Sequence, residues 1–353
     1  TFTATAGEGY FCDTSGGAFT VNLPSSPSAG AVVAVSDYAN TFDTNNLTIG
    51  RGGSNIEGAA SDFVCNIEGA AITLVYVDAT QGWITTDTGN STDAFINNFV
   101  EATVSGSCNS LVTCGNFKIA VFKGPGTFEV TSAGTPSGST SVDYLVVGGG
   151  GGTSSGPSNP GWGGGGGAGG YRESPGSTTC YTASPLGASP ATAITVSKQS
   201  YPITVGAGGA GSAPKGTSGG NSSALGIQAA GGGGGGGYTE AGINGGSGGG
   251  GGGCGSSGTG GSGNTPPVSP AQGSDGGNGK TTGNESGGGG GGASSSGADG
   301  GAGPGSSAGN GGNGTNTGIL GSSPLAPSIG APGPAPGRFF GGGGGGGNGR
   351  VDQ

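Results

Sequence analysis

The sequence contains no histidine and no methionine, and charged residues are scarce. Without histidine, the chain has no imidazole for acid–base catalysis or for a zinc site. The sequence contains nine Lys and Arg and 19 Asp and Glu, which gives a formal charge of −10. This charge argues against a nucleic-acid binder, because such proteins need a basic surface. No run of about 18 apolar residues is present, so we expect no membrane insertion. The sequence does not begin with Met, and we expect a fragment or a processed form.

Glycine is abundant and unevenly distributed. Of the 96 glycines, 78 lie from Gly148 onward. The charge changes at the same place, because 13 of the 19 acidic residues but only three of the nine basic residues precede Gly148. The shift in glycine content and charge indicates two structurally different regions that are joined near Val147.

The region before Gly148 has the sequence pattern of β-strands. Phe19, Val21 and Leu23 alternate with polar residues, which is typical of a half-buried strand. Further predicted strands cover residues 31–35, 47–49, 63–67 and 72–77, and residues 122–128 are predicted to form a tight hairpin. No segment has a sustained 3.6-residue period, so almost no α-helix is expected. The prediction is a β module over residues 1–92 and a shorter β module or connector over 93–147.

Residues 148–353 are built from blocks of glycine. Uninterrupted runs occupy 148–152, 163–167, 231–237, 248–253, 287–292 and 341–347. One interpretation is a flexible linker. The recurrence of the runs, with apolar residues at their ends, favours an ordered bundle of polyproline-II-like (polyglycine II) helices. Such helices have three residues per turn and no internal hydrogen bonds, so their backbones must pair sideways.

Several segments resemble proteins of phage particles. Residues 144–152, 163–172 and 201–209 are similar to the glycine-rich domain of phage tail-fibre and related virion proteins, and residues 117–128 resemble the β segment that leads into it. Residues 3–11 and 75–83 resemble a β module of tail-fibre-like proteins from marine and cyanobacterial phages.

The resemblance implies a structural and adhesive role in the virion. In tail-fibre-tip adhesins the glycine-rich segments form a polyglycine sandwich, and loops at its end contact the host surface. The expected partners are further copies of the chain, often as a trimer, and a bacterial surface saccharide or outer-membrane protein.

Aromatic residues in the glycine-rich region are the candidate receptor contacts. Trp162, Tyr171 and Arg172 lie near a polar Ser/Pro/Asn loop, and Tyr238 follows a glycine run. Aromatic rings beside polar loops suit the binding of sugars or proteins. The alternative is that these rings cap the apolar ends of the glycine bundle.

Six cysteines allow three disulfides. We predict a Cys108–Cys114 pair across a short loop and a Cys12–Cys65 pair within one β module, which leaves Cys180 with Cys254. The alternative is buried thiols, because virions assemble in a reducing cytoplasm.

The apparent chemical motifs do not indicate an enzyme. Residues 274–281 nearly match a phosphate-binding loop, but Ser274 replaces its first glycine. The acids of the first region, such as Asp37 and Glu57, are interpreted as solvated surface rather than as a glycosidase pair. We therefore expect no catalytic residue, cofactor or metal. The alternative function is a subunit of a self-assembling extracellular bacterial filament with no receptor, and a polysaccharide depolymerase is a further possibility.

Overall fold

The chain forms two compact units in the computed structural model. The first unit comprises Thr1–Glu101, Thr131–Thr140 and Val196–Lys198, and the second comprises Ala102–Val130, Ser141–Thr195 and Gln199–Gln353. The structure describes residues 1–88, 99–115, 117–134, 138–154, 162–175, 181–190, 192–254, 256–281, 285–301, 307–321, 328–334 and 337–348. These residues contain many short β-strands and no α-helix, as the sequence predicts.

The first unit contains two four-stranded sheets. Its strands are β1 (Phe2–Thr3), β2 (Glu8–Cys12), β3 (Phe19–Asn22), β4 (Val32–Asp37), β5 (Leu47–Gly50), β6 (Phe63–Cys65), β7 (Ala71–Asp78) and β8 (Gly82–Thr88). One sheet has the order β1-β3-β5-β6 and the other β2-β4-β7-β8. The pairs β1–β3, β3–β5 and β2–β4 are parallel, whereas β5–β6, β4–β7 and β7–β8 are antiparallel. The predicted strands of this region are confirmed.

The hydrophobic core of the first unit draws side chains from both sheets. Alternate residues of each strand point inward, as in β4, where Val33 and Val35 are buried while their neighbours are less so. Trp83 is fully buried and its ring meets that of Tyr76 edge to face, with centroids 5.6 Å apart. The period-2 pattern thus places one face of each sheet in a shared core.

Most of the strands that follow have five residues or fewer, and one of them, Gly126–Ala133, has eight. They are β9 (Val100–Val104), β10 (Ser110–Cys114), β11 (Phe117–Val121), β12 (Gly126–Ala133), β13 (Ser141–Val142), β14 (Tyr144–Val147), β15 (Tyr171–Ser174), β16 (Ile194–Thr195), β17 (Ser200–Ile203), β18 (Ser222–Ala224), β19 (Ile227–Ala229), β20 (Gly253–Cys254), β21 (Ser256–Ser257), β22 (Thr315–Thr317), β23 (Ala331–Pro332) and β24 (Arg338–Phe340). Most pair in small antiparallel sheets of two or three strands.

The tight hairpin predicted over residues 122–128 is wrong. Strand β11 pairs with β10, whereas β12 pairs with β17 and β9. The side chain of Asn109 explains the difference, because its Oδ1 accepts hydrogen bonds from the backbone N–H of Lys123 at 3.0 Å and of Gly124 at 3.2 Å. The turn-forming residues therefore belong to a loop held by Asn109 rather than to a hairpin.

The glycine runs are joined sideways by backbone hydrogen bonds. In the run over residues 163–170, Gly164, Gly167 and Gly170 donate to Gly236, Gly233 and Ala230, at 2.7 to 2.8 Å. The same run also donates from Gly165 to Gly288 at 3.0 Å and from Ala168 to Gly291 at 2.9 Å. Each run is thus bonded to more than one neighbour.

Side chains do not fit between these runs. A Cβ atom placed on Gly165 would overlap the carbonyl oxygen of Gly344, and one placed on Gly232 would overlap that of Gly167. The runs lie so close together that only glycine is accommodated at such positions. The glycine content of the second unit follows from this close approach of backbones.

Candidate functional site

The glycine runs of the second unit have two distinct ends. Because Gly164 bonds Gly236 and Gly170 bonds Ala230, the runs over 163–170 and 231–237 are antiparallel. Trp162 and Tyr238 therefore lie together at one end, which we call the aromatic end. Tyr171 and Ala230 lie together at the other, which we call the strand end.

Buried hydrogen bonds of Gln272 hold together the segments that meet at the strand end. The N–H of Tyr171 donates to the backbone oxygen of Gln272 at 2.7 Å, and the N–H of Ala230 donates to its Oε1 at 2.8 Å. The Nε2 of Gln272 donates to the oxygen of Pro266 at 2.8 Å. Gln272 is 1% exposed, so its amide satisfies backbone groups that no water would reach.

A buried carboxylate ties further segments to the strand end. Oε2 of Glu173 accepts hydrogen bonds from the Tyr171 hydroxyl at 2.8 Å and from the Ser184 N–H at 3.0 Å, and Oε1 accepts one from Thr317 Oγ1 at 2.6 Å. Burial, and secondly the charge of Glu173, raise the pKa of Tyr171, so its hydroxyl keeps its proton and serves as a donor. These groups are structural.

The aromatic end presents side chains at the surface. The rings of Trp162 and Tyr238 meet edge to face, with centroids 5.9 Å apart. Backbone bonds fix both residues, because Gly253 donates to the oxygen of Trp162 at 2.9 Å and Cys254 donates to that of Tyr238 at 3.1 Å. Tyr238 is 46% exposed and has a φ of 49°, a conformation that is uncommon for a bulky residue.

Polar groups lie beside Tyr238. The Tyr238 hydroxyl interacts with the Cys254 thiol, and this contact, more than the charge of Glu285, raises the pKa of Tyr238. Burial, followed by a hydrogen bond with Glu285, raises the pKa of Cys254. The backbone of Lys215 pairs with that of Gly236, and its Nζ lies 3.0 Å from Glu240 Oε2 in a partly exposed ion pair.

The four predicted receptor contacts divide between the two ends. Trp162 and Tyr238 are brought together at the aromatic end. Tyr171 is 1% exposed at the strand end, and Arg172 is the next residue of β15, opposite Val146. Because its ring is buried, Tyr171 cannot touch a receptor in this fold, which corrects that part of the prediction. Sequence reasoning missed the grouping of Cys254 and Glu285 with Tyr238, since no local motif joins them.

The described cysteines are not joined by disulfides. Cys12 and Cys65 are buried in one core and close enough for the Cys12 thiol to help raise the pKa of Cys65, after the larger effect of burial. Cys108 is exposed, and Cys114 ends β10. The structure therefore does not contain the predicted pairs of Cys12 with Cys65 and of Cys108 with Cys114, and Cys180 lies outside the described residues.

Neither a membrane-spanning helix nor a metal-binding cluster is found within the described residues. No helix there is long and apolar enough to cross a membrane. The part of the chain that the structure describes also contains no group of three or more His, Cys, Asp or Glu side chains arranged to hold a metal ion.

The second unit is thus a glycine-rich domain in which backbone hydrogen bonds join runs of glycine. Residues 123–353, more than half of the sequence, match the family model described as "Glycine-rich domain", and the chain belongs to this family. No curated protein matches the sequence.

Proposed function

We propose that the chain is a structural and adhesive component of a phage tail fibre, and hence part of a virion. The β-rich first unit serves assembly into a homo-oligomer, and the glycine-rich unit presents loops to the host surface. The partner is a bacterial surface saccharide or an outer-membrane protein. Support comes from the segments that resemble phage fibre proteins and from the glycine-rich family to which the chain belongs.

In this proposal the glycine runs are polyglycine II rods. A helix with three residues per turn returns the same side to the same neighbour at every third residue. The donors Gly164, Gly167 and Gly170 follow this spacing toward one run, and Gly165 and Ala168 follow it toward another. A three-residue step to two neighbours is what laterally bonded rods require, whereas a flat strand would alternate every second residue.

The observation that carries the proposal is the absence of space between the runs. Because a Cβ on Gly165 would overlap the Gly344 carbonyl, the backbones are packed against one another and bonded many times over. Each backbone bond contributes only about 1 kcal/mol net, but a bundle accumulates many of them. Such a scaffold holds the loops at its ends in fixed positions, which reduces the entropy lost when they bind.

The proposed recognition surface is the aromatic end. It combines the exposed ring of Tyr238, its neighbour Trp162 and the ion pair of Lys215 with Glu240. An aromatic face flanked by polar groups matches both saccharides and protein hot spots. Weak contacts of this kind gain strength when several copies bind at once.

Binding to cells tests the adhesive part. Fluorescently labelled chain is applied to a panel of intact bacteria, together with Trp162→Ala, Tyr238→Ala and the control Phe339→Ala. Phe339 is 39% exposed and lies in β24, next to the run over 341–347. We expect the first two variants to lose binding and the control to keep it. Equal binding by all four proteins would place recognition elsewhere.

Imaging and hydrogen exchange test the structural part. An antibody against the chain should label fibres attached to particles in negative stain; open helical filaments without particles would instead favour the bacterial filament subunit. In the assembled material, the amides of Gly164, Gly167 and Gly170 should exchange far more slowly than in denaturant. Unprotected exchange throughout the glycine runs would rule out the scaffold.

A further inference from the structure

Strand β2 of the first unit is an edge strand with an open side. Among the strands that the structure describes, β2 pairs with β4 alone. The backbone oxygen of Cys12 accepts a hydrogen bond from the N–H of Tyr38, on the β4 side, at 3.0 Å. Since backbone groups of successive residues in a strand point to opposite edges, the N–H and C=O of Gly9 and of Phe11 point to the open side. An edge of this kind is a template for pairing with another strand.

The outer face of β2 carries an exposed aromatic side chain beside a groove. Phe11 is 80% exposed, the highest value among the large hydrophobic residues exposed in the described part of the chain. Beside it, Gly9 is paired with Ala34, and both residues line a shallow groove together with Phe11 itself and with residues of β4 and β7. The ring therefore borders the groove, two residues from Gly9 on the same strand.

Nothing within the described chain requires a glycine at position 9. A Cβ there would lie 3.7 Å from the Ala34 Cβ, an ordinary contact, and the φ of Gly9 is not in the left-handed region. Glycine in a strand weakens it and often marks a place where another backbone or a ligand approaches closely. The missing side chain therefore points to an occupant from outside the chain.

We propose that this occupant is the β2 strand of a second copy, paired antiparallel about a two-fold axis at Tyr10. This register overlaps all five residues of β2. It places Phe11 of each copy opposite Gly9 of the other, so that each ring covers the partner's glycine and fills its groove. Aromatic residues paired across strands with glycine are a known stabilising arrangement. Two four-stranded sheets become one continuous sheet of eight strands.

The charge distribution favours this contact between like copies. The residues before Gly148 include 13 of the 19 acids and only three of the nine bases, so most faces of two copies repel each other. The residues that line the groove are all uncharged. Glu8 pairs with Cys12 of the second copy in this register, which keeps the two Glu8 carboxylates roughly 14 Å apart, beyond the screening length of physiological salt.

Sedimentation velocity of the full chain tests the proposal with two variants that act differently. Phe11→Asp removes the ring and adds charge. Gly9→Val fills the groove and is expected to fold, because its Cβ has space and valine favours strands. Phe117→Asp is the control, since Phe117 is 47% exposed on β11.

We expect the wild-type assembly to contain twice as many chains as either β2 variant, with dissociation at least about tenfold easier in the variants. The control should match the wild type. A wild type that is monomeric at every soluble concentration, or an assembly that is unchanged by Phe11→Asp and Gly9→Val, would overturn the proposal. This test leaves the aromatic end untouched, so its result is separate from that of the cell-binding experiment.

Discussion

Thr317 donates a hydrogen bond to the buried carboxylate of Glu173 at 2.6 Å, although 144 positions separate the two residues in sequence. Both side chains are almost fully buried. The bond joins β22 to β15, and the second carboxylate oxygen holds Tyr171 and the backbone of Ser184. One acidic side chain thus connects three distant parts of the glycine-rich unit.

Replacing this carboxylate by an amide should destabilise the second unit. Glu173→Gln puts an NH₂ donor where an oxygen now accepts from hydroxyl or N–H donors. We expect the free energy of unfolding to fall by about 1–3 kcal/mol. Urea unfolding measures the change, with Glu129→Gln as the control because Glu129 is exposed on β12. Equal stability of the two variants would show that the buried bonds contribute nothing net.

Alanine substitutions of glycine should depend on the space at each position. Gly165→Ala introduces a Cβ that overlaps the Gly344 carbonyl, so we expect a loss of about 1–3 kcal/mol or more. Gly342→Ala has no atom within 4 Å and should be neutral or stabilising by about 0.4–1 kcal/mol. Thermal unfolding of both variants compares the effects. A similar result at the two positions would contradict close packing of the runs.

Replacing Asp37 by asparagine should leave the free energy of unfolding unchanged, whereas replacing it by alanine should lower it. Oδ2 of Asp37 accepts from the N–H groups of Phe42 and Gly69, both at 3.1 Å, while Oδ1 has no hydrogen-bond partner among the described residues. Asp37→Asn keeps the accepting oxygen and removes a buried charge. Asp37→Ala leaves two donors unsatisfied and should cost about 1–3 kcal/mol. If urea unfolding gives the same free energy of unfolding for Asp37→Asn and Asp37→Ala, the hydrogen bonds to Asp37 contribute nothing to stability.

Alkaline pH should destabilise the first unit through Cys12. Burial, and to a smaller extent the charge of Asp37, raise the pKa of this thiol from 9.0 to about 11. The folded state therefore holds the proton more tightly than the unfolded chain does. Its stabilising contribution is complete below about pH 9 and is lost as the pH rises through about 11.

Unfolding free energies measured across this pH range should fall less steeply for Cys12→Ala than for the wild type. Cys65, whose pKa is also raised by burial, remains in the variant and accounts for part of the slope that is left. Identical pH slopes for the two proteins would show that Cys12 has the same pKa in both states.

The strands of the first unit could be predicted because their side chains alternate with a period of two. Val33, Val35, Ile72 and Leu74 face the core as the pattern requires. The pairing of β11 and β12 could not be predicted, since it depends on the Asn109 side chain and on β17, about 70 residues further along the chain. Turn residues indicate where the chain bends but not which strands become neighbours.

The candidate site was only partly predictable for a related reason. Tyr171 and Trp162 are near each other in sequence and flank the same glycine run, yet the run carries them to opposite ends. Tyr238 joins Trp162 because the run before it is antiparallel to the run after Trp162. A list of aromatic residues cannot reveal this division.

The amino-acid sequence alone determined the β-rich start, the change of composition near Val147 and the glycine content that lets backbones approach closely. Tertiary structure alone decided which glycine runs are neighbours and which side chains meet at their ends. The physical reason is that glycine runs present nearly identical backbone donors and acceptors. Their order is therefore set by distant side-chain contacts, such as that of Thr317 with Glu173, and not by any feature within a run.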